Sequence, residues 1–248
     1  MIRVQNKELK LQKPQISVVI PVYNEQENLP ILLEGLVLSL DGLRKSYEVI
    51  FVDDASTDKS LNVLQELANK TTSLRIIKFQ KNSGQSAAFD AGFKLAKGEI
   101  VVTLDADLQY DPGDIPKLLE KLNEYDVVCG WRKKRQDPQL KLISTKIANA
   151  VRNKLSGENI KDTGCSLKAF KRDFLVKLKM YKGMHRFLPT LLKMQGAKVC
   201  EVEVRHFPRK FGRSKYNIRN RLFKSFLDLL FVAWMKKRNL DYKAEVIK

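Results

Sequence analysis

The segment ISVVIPVYNE, residues 16–25, is a run of mostly β-branched residues that ends in polar ones. Similar runs follow at residues 47–54 (YEVIFVDD), 74–79 (LRIIKF), 100–107 (IVVTLDAD) and 126–132 (DVVCGWR). Helical patterns separate the runs. Short apolar runs that alternate with helices are typical of buried parallel strands. The sequence therefore predicts an α/β fold built on a Rossmann-like, doubly wound, mostly parallel sheet.

Polar residues follow four of these strands, at the point where each strand ends. In chain order, the candidate site residues at these strand ends are Pro21, Tyr23, Glu25, Asp54, Asp105, Asp107, Gln109 and Arg132. Ligands of such sheets bind in the loops at the carboxyl ends of the strands. We therefore expect these side chains to form one site.

The run DADLQ, residues 105–109, predicts a metal site. Asp105 and Asp107 lie two positions apart after a strand and project to the same side, and the amide oxygen of Gln109 adds a third ligand. Mg²⁺ or Mn²⁺ on a diphosphate takes such oxygen ligands, and phosphate oxygens and waters complete the octahedron. The alternative is an acidic turn that caps the next helix, a role for which Asp111 is better placed.

Positive charge is concentrated in the second half of the chain, whose formal net charge is +18. Residues 1–130 carry 15 Lys and Arg against 19 Asp and Glu, a net charge of −4. Residues 131–221 carry 25 against 6, a net charge of +19. This segment indicates an anionic partner, which could be nucleic acid, an anionic membrane surface or a phosphate-bearing substrate. A solvated basic surface is the alternative.

The cysteines and the N-terminus indicate a cytosolic location. The three cysteines are far apart and match no metal-ligand spacing, so they fit structural thiols in a reducing compartment. Residues 1–15 are polar and lack the apolar core of a signal peptide.

The last helical pattern, Asn220 to Lys237, combines apolar residues with a basic end. Its longest apolar stretch, Leu222 to Met235, would reach about 21 Å as a helix, against a hydrocarbon core of about 30 Å. A short apolar helix with Trp234 near its basic end is typical of an amphipathic helix in the plane of an anionic membrane surface. The alternative is a helix that packs on its own protein or on the partner of a homo-oligomer.

Four motifs together resemble the family 2 glycosyltransferases. They are PVYNEQENL (21–29), VDDASTD (52–58), NSGQSAAFDAG (82–92) and DADLQ. Within the family the chain is most similar to the dolichyl-phosphate mannosyltransferases and bacterial polyprenyl-phosphate glycosyltransferases, over about residues 15–237. The resemblance implies a glycosyltransferase A type fold with a basic C-terminal helical extension.

The resemblance divides the chain into three parts. Residues 1–14 are an N-terminal extension, and residues 15–216 form the catalytic domain. The nucleotide-sugar half of this domain covers about 15–131 and the acceptor half about 132–216. Residues 217–248 are a membrane-associating helix and tail. The implied enzyme is peripheral on the cytoplasmic face of the membrane.

The resemblance also assigns the donor site. The residues it implies for the nucleotide-sugar are Pro21, Tyr23, Glu25, Asp54, Asp105, Ala106, Asp107, Gln109 and Arg132. The first three would contact the nucleoside, and Asp54 the ribose or base. The metal, Mg²⁺ or Mn²⁺, would lie on Asp105, Asp107 and Gln109.

The loop at 206–215 matches the family pattern H-x-x-R-x-x-G-x-S-K, which closes over the diphosphate and the acceptor phosphate. The implied acceptor-phosphate residues are Lys141, Ser144, Arg209, Ser214 and Lys215. The implied catalytic residues are Asp107, Arg132, Arg209 and Lys215. In one departure, Lys141 precedes Ser144 where some relatives have an arginine, and a lysine lacks the guanidinium fork for bidentate phosphate binding.

The function implied is transfer of a sugar, with inversion, from GDP-mannose or a UDP-sugar to a dolichyl or undecaprenyl phosphate. Another acceptor, such as a glycan or lipid, is the first alternative. A sugar-phosphate nucleotidyltransferase fits less well, because its glycine-rich signature is absent after the first strand. A nucleic-acid-binding function is not expected, since aromatic residues do not interleave with the basic ones.

Overall fold

The computed structural model of the chain describes residues 13–133, 160–211, 218–240 and 245, with the backbone alone over 218–225. The first half alternates strands and helices. In chain order these are β1 (Ile16–Val22), α1 (Leu29–Asp41), β2 (Tyr47–Asp53), α2 (Ser60–Lys70), β3 (Leu74–Lys78), α3 (Gln85–Leu95), β4 (Ile100–Thr103), a 3-10 turn (Pro112–Asp114), α4 (Ile115–Lys121) and β5 (Val127–Trp131).

The second half returns to the same sheet and ends in a long helix. Its elements are β6 (Lys168–Lys171), α5 (Arg172–Val176), a 3-10 turn (Met184–Phe187), α6 (Leu188–Met194), β7 (Val199–Glu203) and α7 (Ile218–Lys237). The sequence also has a helical pattern from about Leu140 to Leu155, which lies outside the described residues.

The seven strands form one sheet in the order β3-β2-β1-β4-β6-β5-β7. Strand β6 runs antiparallel to β4 and β5, and the other pairs are parallel. The predicted α/β, mostly parallel sheet is confirmed. The sequence did not predict that β6 separates β4 from β5, because strand order depends on contacts between residues far apart in the chain.

Both faces of the sheet are covered by apolar residues, as expected of strands buried on two sides. On β1, Ile16, Val18 and Ile20 belong to one core cluster with α1, whereas Val19 belongs to the other with α3. Side chains alternate faces along a strand, so this single run contributes to both cores. The sheet is therefore a rigid base for the loops at its edge.

Where its side chains are described, from residue 226 onward, helix α7 packs on the protein mainly through one face. Leu229 and Val232 are buried in a cluster with Met184, Phe187 and Leu191 of the 184–194 region. The opposite face is apolar and exposed, and its members are Phe226, Leu227, Leu230, Phe231 and Trp234. We call these five residues the exposed face of α7. Within the described part of the chain, no helix is long and apolar enough to span a membrane.

Candidate active site

The loops after β1, β2 and β4 meet at the carboxyl edge of the sheet, and each contains a non-glycine residue with positive φ. These residues are Asn24 (55°), Ala55 (57°) and Leu108 (58°). The Asn24 side chain ties the first two loops together, since its Oδ1 accepts from the Thr57 N–H at 2.7 Å. Backbone strain of this kind is typical of functional sites, because the surrounding structure must hold it.

Asp105 and Asp107 lie together in the loop after β4. The Asp105 N–H donates to Ser166 Oγ at 3.1 Å, which fixes the start of the loop. Burial raises the pKa of the Asp105 carboxyl, although a hydrogen bond from Ser166 and the charge of Lys168 oppose the shift. Burial, followed by the charge of Asp105, raises the pKa of Asp107 to about 6. Two carboxylates are thus held close in a poorly solvated place.

This pair fits a divalent cation that is shared with a substrate. Like charges held near one another are unfavourable without a cation, and carboxylate oxygens suit Mg²⁺ and Mn²⁺. Gln109 Nε2 lies 3.5 Å from the Phe207 carbonyl oxygen, and the role of the Gln109 amide oxygen as a metal ligand stays a prediction. Across the described residues, no three His, Cys, Asp or Glu side chains form a metal cluster. The remaining ligands would come from a diphosphate and water.

Arg209 belongs to the loop at 206–215, which we call the basic loop, and it lies over these carboxylates. Its Nη2 donates to Asp107 Oδ2 at 2.7 Å, and its Nη1 lies 3.4 Å from Glu25 Oε1. Glu25 is further oriented by Asn28, whose Nδ2 donates to Oε2 at 2.6 Å. The structure therefore brings together one residue predicted for each of three roles: nucleoside, metal and phosphate binding.

Asp54, predicted at the ribose or base, binds the loop at 82–84. Its Oδ1 accepts from the Ser83 N–H at 2.6 Å and its Oδ2 from the Gly84 N–H at 2.8 Å. Gly84 has φ of 89°, a conformation that favours glycine. The loop at the start of the motif 82–92 thus binds the protein's own carboxylate. A direct contact of Asp54 with the nucleotide stays a prediction.

Arg132, predicted near the phosphates, is engaged by Asp162. Nε donates to Oδ2 at 2.7 Å and Nη2 to Oδ1 at 2.9 Å, and both side chains are buried. The guanidinium also lies 5.7 Å from the centre of the Tyr110 ring. This geometry fixes Arg132 beside the Asp105 loop, and its charge opposes the rise in the pKa of Asp105.

The other predicted residues divide into two groups. Pro21 lies at the carboxyl end of β1, Tyr23 is half-buried in the following loop, and the Ala106 side chain packs in the core. Four residues predicted at the phosphates lie outside the described part of the chain: Lys141, Ser144, Ser214 and Lys215. Their roles stay predictions.

Sequence analysis did not identify the segment 162–168, whose hydrogen bonds hold the start of the Asp105 loop in place. Ser166 binds the Asp105 N–H, and its carbonyl accepts from Thr103 Oγ1 at 2.6 Å. Its N–H lies 3.3 Å from the Tyr110 hydroxyl. Buried Lys168 donates to the carbonyl of Cys165. The sequence signal here was a strand-like pattern from Cys165 to Phe170, which gave no reason to place this segment next to Asp105.

Comparisons with known proteins identify the family and the fold. The family model described as glycosyl transferase family 2 matches residues 17–178. A dodecaprenyl-phosphate galacturonate synthase of Rhizobium johnstonii is 36% identical over 94% of this chain and 70% of its own length. An undecaprenyl-phosphate 4-deoxy-4-formamido-L-arabinose transferase of Proteus mirabilis is 41% identical over 82% of this chain and 63% of its own length. The match thus spans about two thirds of the length of these relatives.

Solved structures share the fold. A mannosyltransferase from Pyrobaculum calidifontis, in complex with GDP-Man and Mn²⁺, has a TM-score of 0.63 at 21% identity, over 95% of this chain and 67% of that one. A glucosyl-3-phosphoglycerate synthase from Mycobacterium tuberculosis, in complex with Mn²⁺, UDP and glucosyl-3-phosphoglycerate, has a TM-score of 0.65 at 18% identity, over 95% and 85%. At these identities the likeness concerns the fold.

Proposed function

Since this chain is a glycosyltransferase that belongs to family 2, as its motifs predict, we propose that it transfers a sugar from a nucleotide-sugar to a polyprenyl phosphate at a membrane surface. The observation that carries the proposal is the meeting of Asp107, Glu25 and Arg209 at the carboxyl edge of the sheet. A metal-bound nucleotide-sugar would offer a partner to each of them: its nucleoside to Glu25, its metal to Asp107 and its diphosphate to Arg209.

The acceptor chemistry explains why this site needs no general base. A phosphate monoester is anionic at neutral pH, so its oxygen attacks the anomeric carbon without losing a proton. The bond from that carbon to the diphosphate breaks as the new bond forms, so the anomeric centre inverts and a nucleoside diphosphate leaves. The protein's task is to bring two negative groups together and to stabilise the leaving group.

The residues of the site divide this task. Asp105 and Asp107 would hold a divalent cation, which supplies Lewis-acid stabilisation of the diphosphate. Arg209 and the predicted Lys215 would bind phosphate oxygens of donor and acceptor. Arg132, bound to Asp162, keeps positive charge beside the Asp105 loop. The net charge of +19 over residues 131–221 supports an acceptor half that binds anions.

The polyprenyl phosphate is proposed from two separate observations. Relatives at 36% and 41% identity are named for dodecaprenyl phosphate and undecaprenyl phosphate. The exposed face of α7 also presents apolar side chains, among them Trp234 at 56% exposure, with Lys236, Lys237 and Arg238 at its end. Apolar side chains with an interfacial tryptophan and a basic end suit an anionic lipid surface.

A panel of nucleotide-sugars, incubated with the protein and a polyprenyl phosphate, tests the proposal. The expected result is release of UDP or GDP with one donor, together with a glycosylated lipid phosphate. Turnover with a free glycan or a non-phosphorylated lipid, and none with the polyprenyl phosphate, would replace the proposed acceptor. Product stereochemistry, measured by NMR, tests inversion.

A further inference from the structure

A side chain from the start of α3 reaches the predicted metal site, although the sequence motifs gave it no role there. Gln85 Nε2 donates a hydrogen bond to Asp105 Oδ1 at 2.7 Å. Residues 85 and 105 lie at the ends of different units of the sheet, so only the fold brings them together. Gln85 is the first residue of α3, yet its side chain points across to β4 rather than capping its own helix.

The position of Gln85 is fixed from both sides. Before it, the Ser83 and Gly84 N–H groups donate to the two carboxylate oxygens of Asp54. After it, the Ser86 hydroxyl lies 2.7 Å from His185 Nδ1 and accepts from the Gly183 N–H at 3.0 Å. A side chain that starts from so constrained a backbone can hold its partner in one orientation.

The chemistry of the amide suits a carboxylate that must remain available to a cation. A neutral Nε2–H orients Asp105 Oδ1 without adding positive charge. A lysine or arginine at position 85 would instead form an ion pair with Asp105, as Arg209 does with Asp107, and would compete with the cation. Partners that orient a metal-binding carboxylate in this way typically change metal affinity or activity by about 10- to 100-fold when they are removed.

We propose that Gln85 is a positioning residue for the reaction: anchored through its loop by Asp54, it orients Asp105 toward the metal–diphosphate of the donor. The inference rests on the proposed metal-assisted function. Asp54 then has a role besides the one predicted at the ribose or base: its carboxylate fixes the 82–84 loop and so holds Gln85 within reach of Asp105.

The substitution Gln85→Met tests the inference, since methionine keeps the length of the side chain and removes the donor. Mn²⁺ binding is followed by electron paramagnetic resonance in the presence of UDP and, separately, of GDP. We expect Gln85→Met to weaken Mn²⁺ binding by about 10- to 100-fold with the nucleotide that the wild type binds. The melting temperature of the metal-free protein should stay near the wild-type value. Gln80→Met, an exposed glutamine just before the loop, is the matched control and should bind Mn²⁺ like the wild type.

A double-mutant cycle with Asp105→Ala, which removes the oxygen that accepts from Gln85, separates positioning from a general structural role. If Gln85 acts through Asp105, Gln85→Met should cost little further affinity in the Asp105→Ala background. The same loss in both backgrounds would overturn the inference, as would wild-type affinity in Gln85→Met. Should Gln85→Met fail to fold, Gln85→Asn, which is too short to reach Asp105, replaces it with the same expectation.

The measurement on the wild type distinguishes failure of the metal-assisted function from failure of the role proposed for Gln85. If the wild type binds no Mn²⁺ with either nucleotide, the metal-assisted function fails and this inference with it. If the wild type binds Mn²⁺ and Gln85→Met binds it equally well, only the role of Gln85 is refuted.

Discussion

Arg209 Nη2 donates to Asp107 Oδ2 at 2.7 Å, so a cation from the basic loop occupies an oxygen predicted to bind the metal. One oxygen lone pair cannot serve both a guanidinium N–H and a divalent ion in the same direction. We therefore expect a divalent cation to compete with Arg209 for Asp107 until a diphosphate offers Arg209 another anion. This relationship links the metal site to the loop that is expected to close over the phosphates.

Arg209→Gln should strengthen the binding of Mn²⁺ alone while it weakens catalysis. Loss of a hydrogen bond between charged groups, worth about 1.5–3 kcal/mol, corresponds to about 10- to 100-fold tighter Mn²⁺ binding without nucleotide. Turnover should fall about 100- to 1000-fold, because a donor to the phosphates is lost in the transition state. Lys210→Gln, on the exposed neighbouring residue, is the control and should change neither. Unchanged Mn²⁺ binding in Arg209→Gln would show that the two do not compete.

Asp107→Asn should abolish transfer and leave the protein folded. EDTA should abolish transfer by the wild type, and added Mg²⁺ or Mn²⁺ should restore it, because the predicted role of Asp107 is to hold the ion. Transfer is measured as nucleotide release, and folding by circular dichroism. Full turnover of the wild type in EDTA would exclude metal assistance.

The pKa of Asp107 predicts a pH dependence in the metal-free protein. Burial raises this pKa to about 6, so between about pH 4 and 6 the folded chain binds more protons than the unfolded one. The contribution of Asp107 to stability is therefore full below about pH 4, is lost as pH rises through 6, and is absent at pH 7. Asp107→Asn should lack this loss, and its stability relative to wild type should rise by roughly 1–3 kcal/mol from pH 4 to pH 7. Urea denaturation at several pH values measures it; a constant difference would contradict the shift.

The buried pair of Arg132 and Asp162 should matter for stability as well as for the site. Asp162→Asn leaves the Arg132 guanidinium buried without its charge partner, which should cost about 3–5 kcal/mol. Glu203→Gln is the matched control, because the Lys133–Glu203 pair is exposed and such pairs contribute at most about 1 kcal/mol. Thermal denaturation compares the two. Equal, small losses would mean that Asp162 does not hold Arg132.

The exposed face of α7 should be needed at the membrane and dispensable for folding. Replacing Phe226, Phe231 and Trp234 with Ser should release the protein from anionic vesicles, measured by co-sedimentation, because these side chains are 45–56% exposed. Binding of the wild type should weaken as salt rises. Activity should fall with a long-chain polyprenyl phosphate in vesicles and survive with a short, soluble analogue.

Val232→Ser provides the contrast on the buried face of the same helix. Val232 is fully buried, so this change should cost roughly 2–4 kcal/mol of stability through lost packing and a buried hydroxyl. If the triple substitution on the exposed face unfolds the protein or reduces both activities equally, α7 packs through that face as well and the membrane role is wrong.

The fold class could be predicted because it follows from local patterns, namely short apolar runs that alternate with helical segments. Runs such as Ile16–Val22 are apolar except for Ser17, and a run of this kind is typical of a strand covered on both faces. The position of DADLQ after β4 could be predicted for the same reason, since the loop begins where the strand's apolar run ends. The order of strands beyond β4 could not, because β6 comes from a segment more than 60 residues along the chain.

The sequence by itself determined which residue types stand at the ends of the strands, and therefore the family and the chemistry available to it. Only the tertiary structure decided their partners: Gln85 with Asp105, Arg209 with Asp107, and Asp162 with Arg132. It also decided that α7 turns Val232 inward and Trp234 outward. The physical reason is that strand and helix periodicity is set by near neighbours, whereas a hydrogen bond between loops depends on where the whole sheet places them.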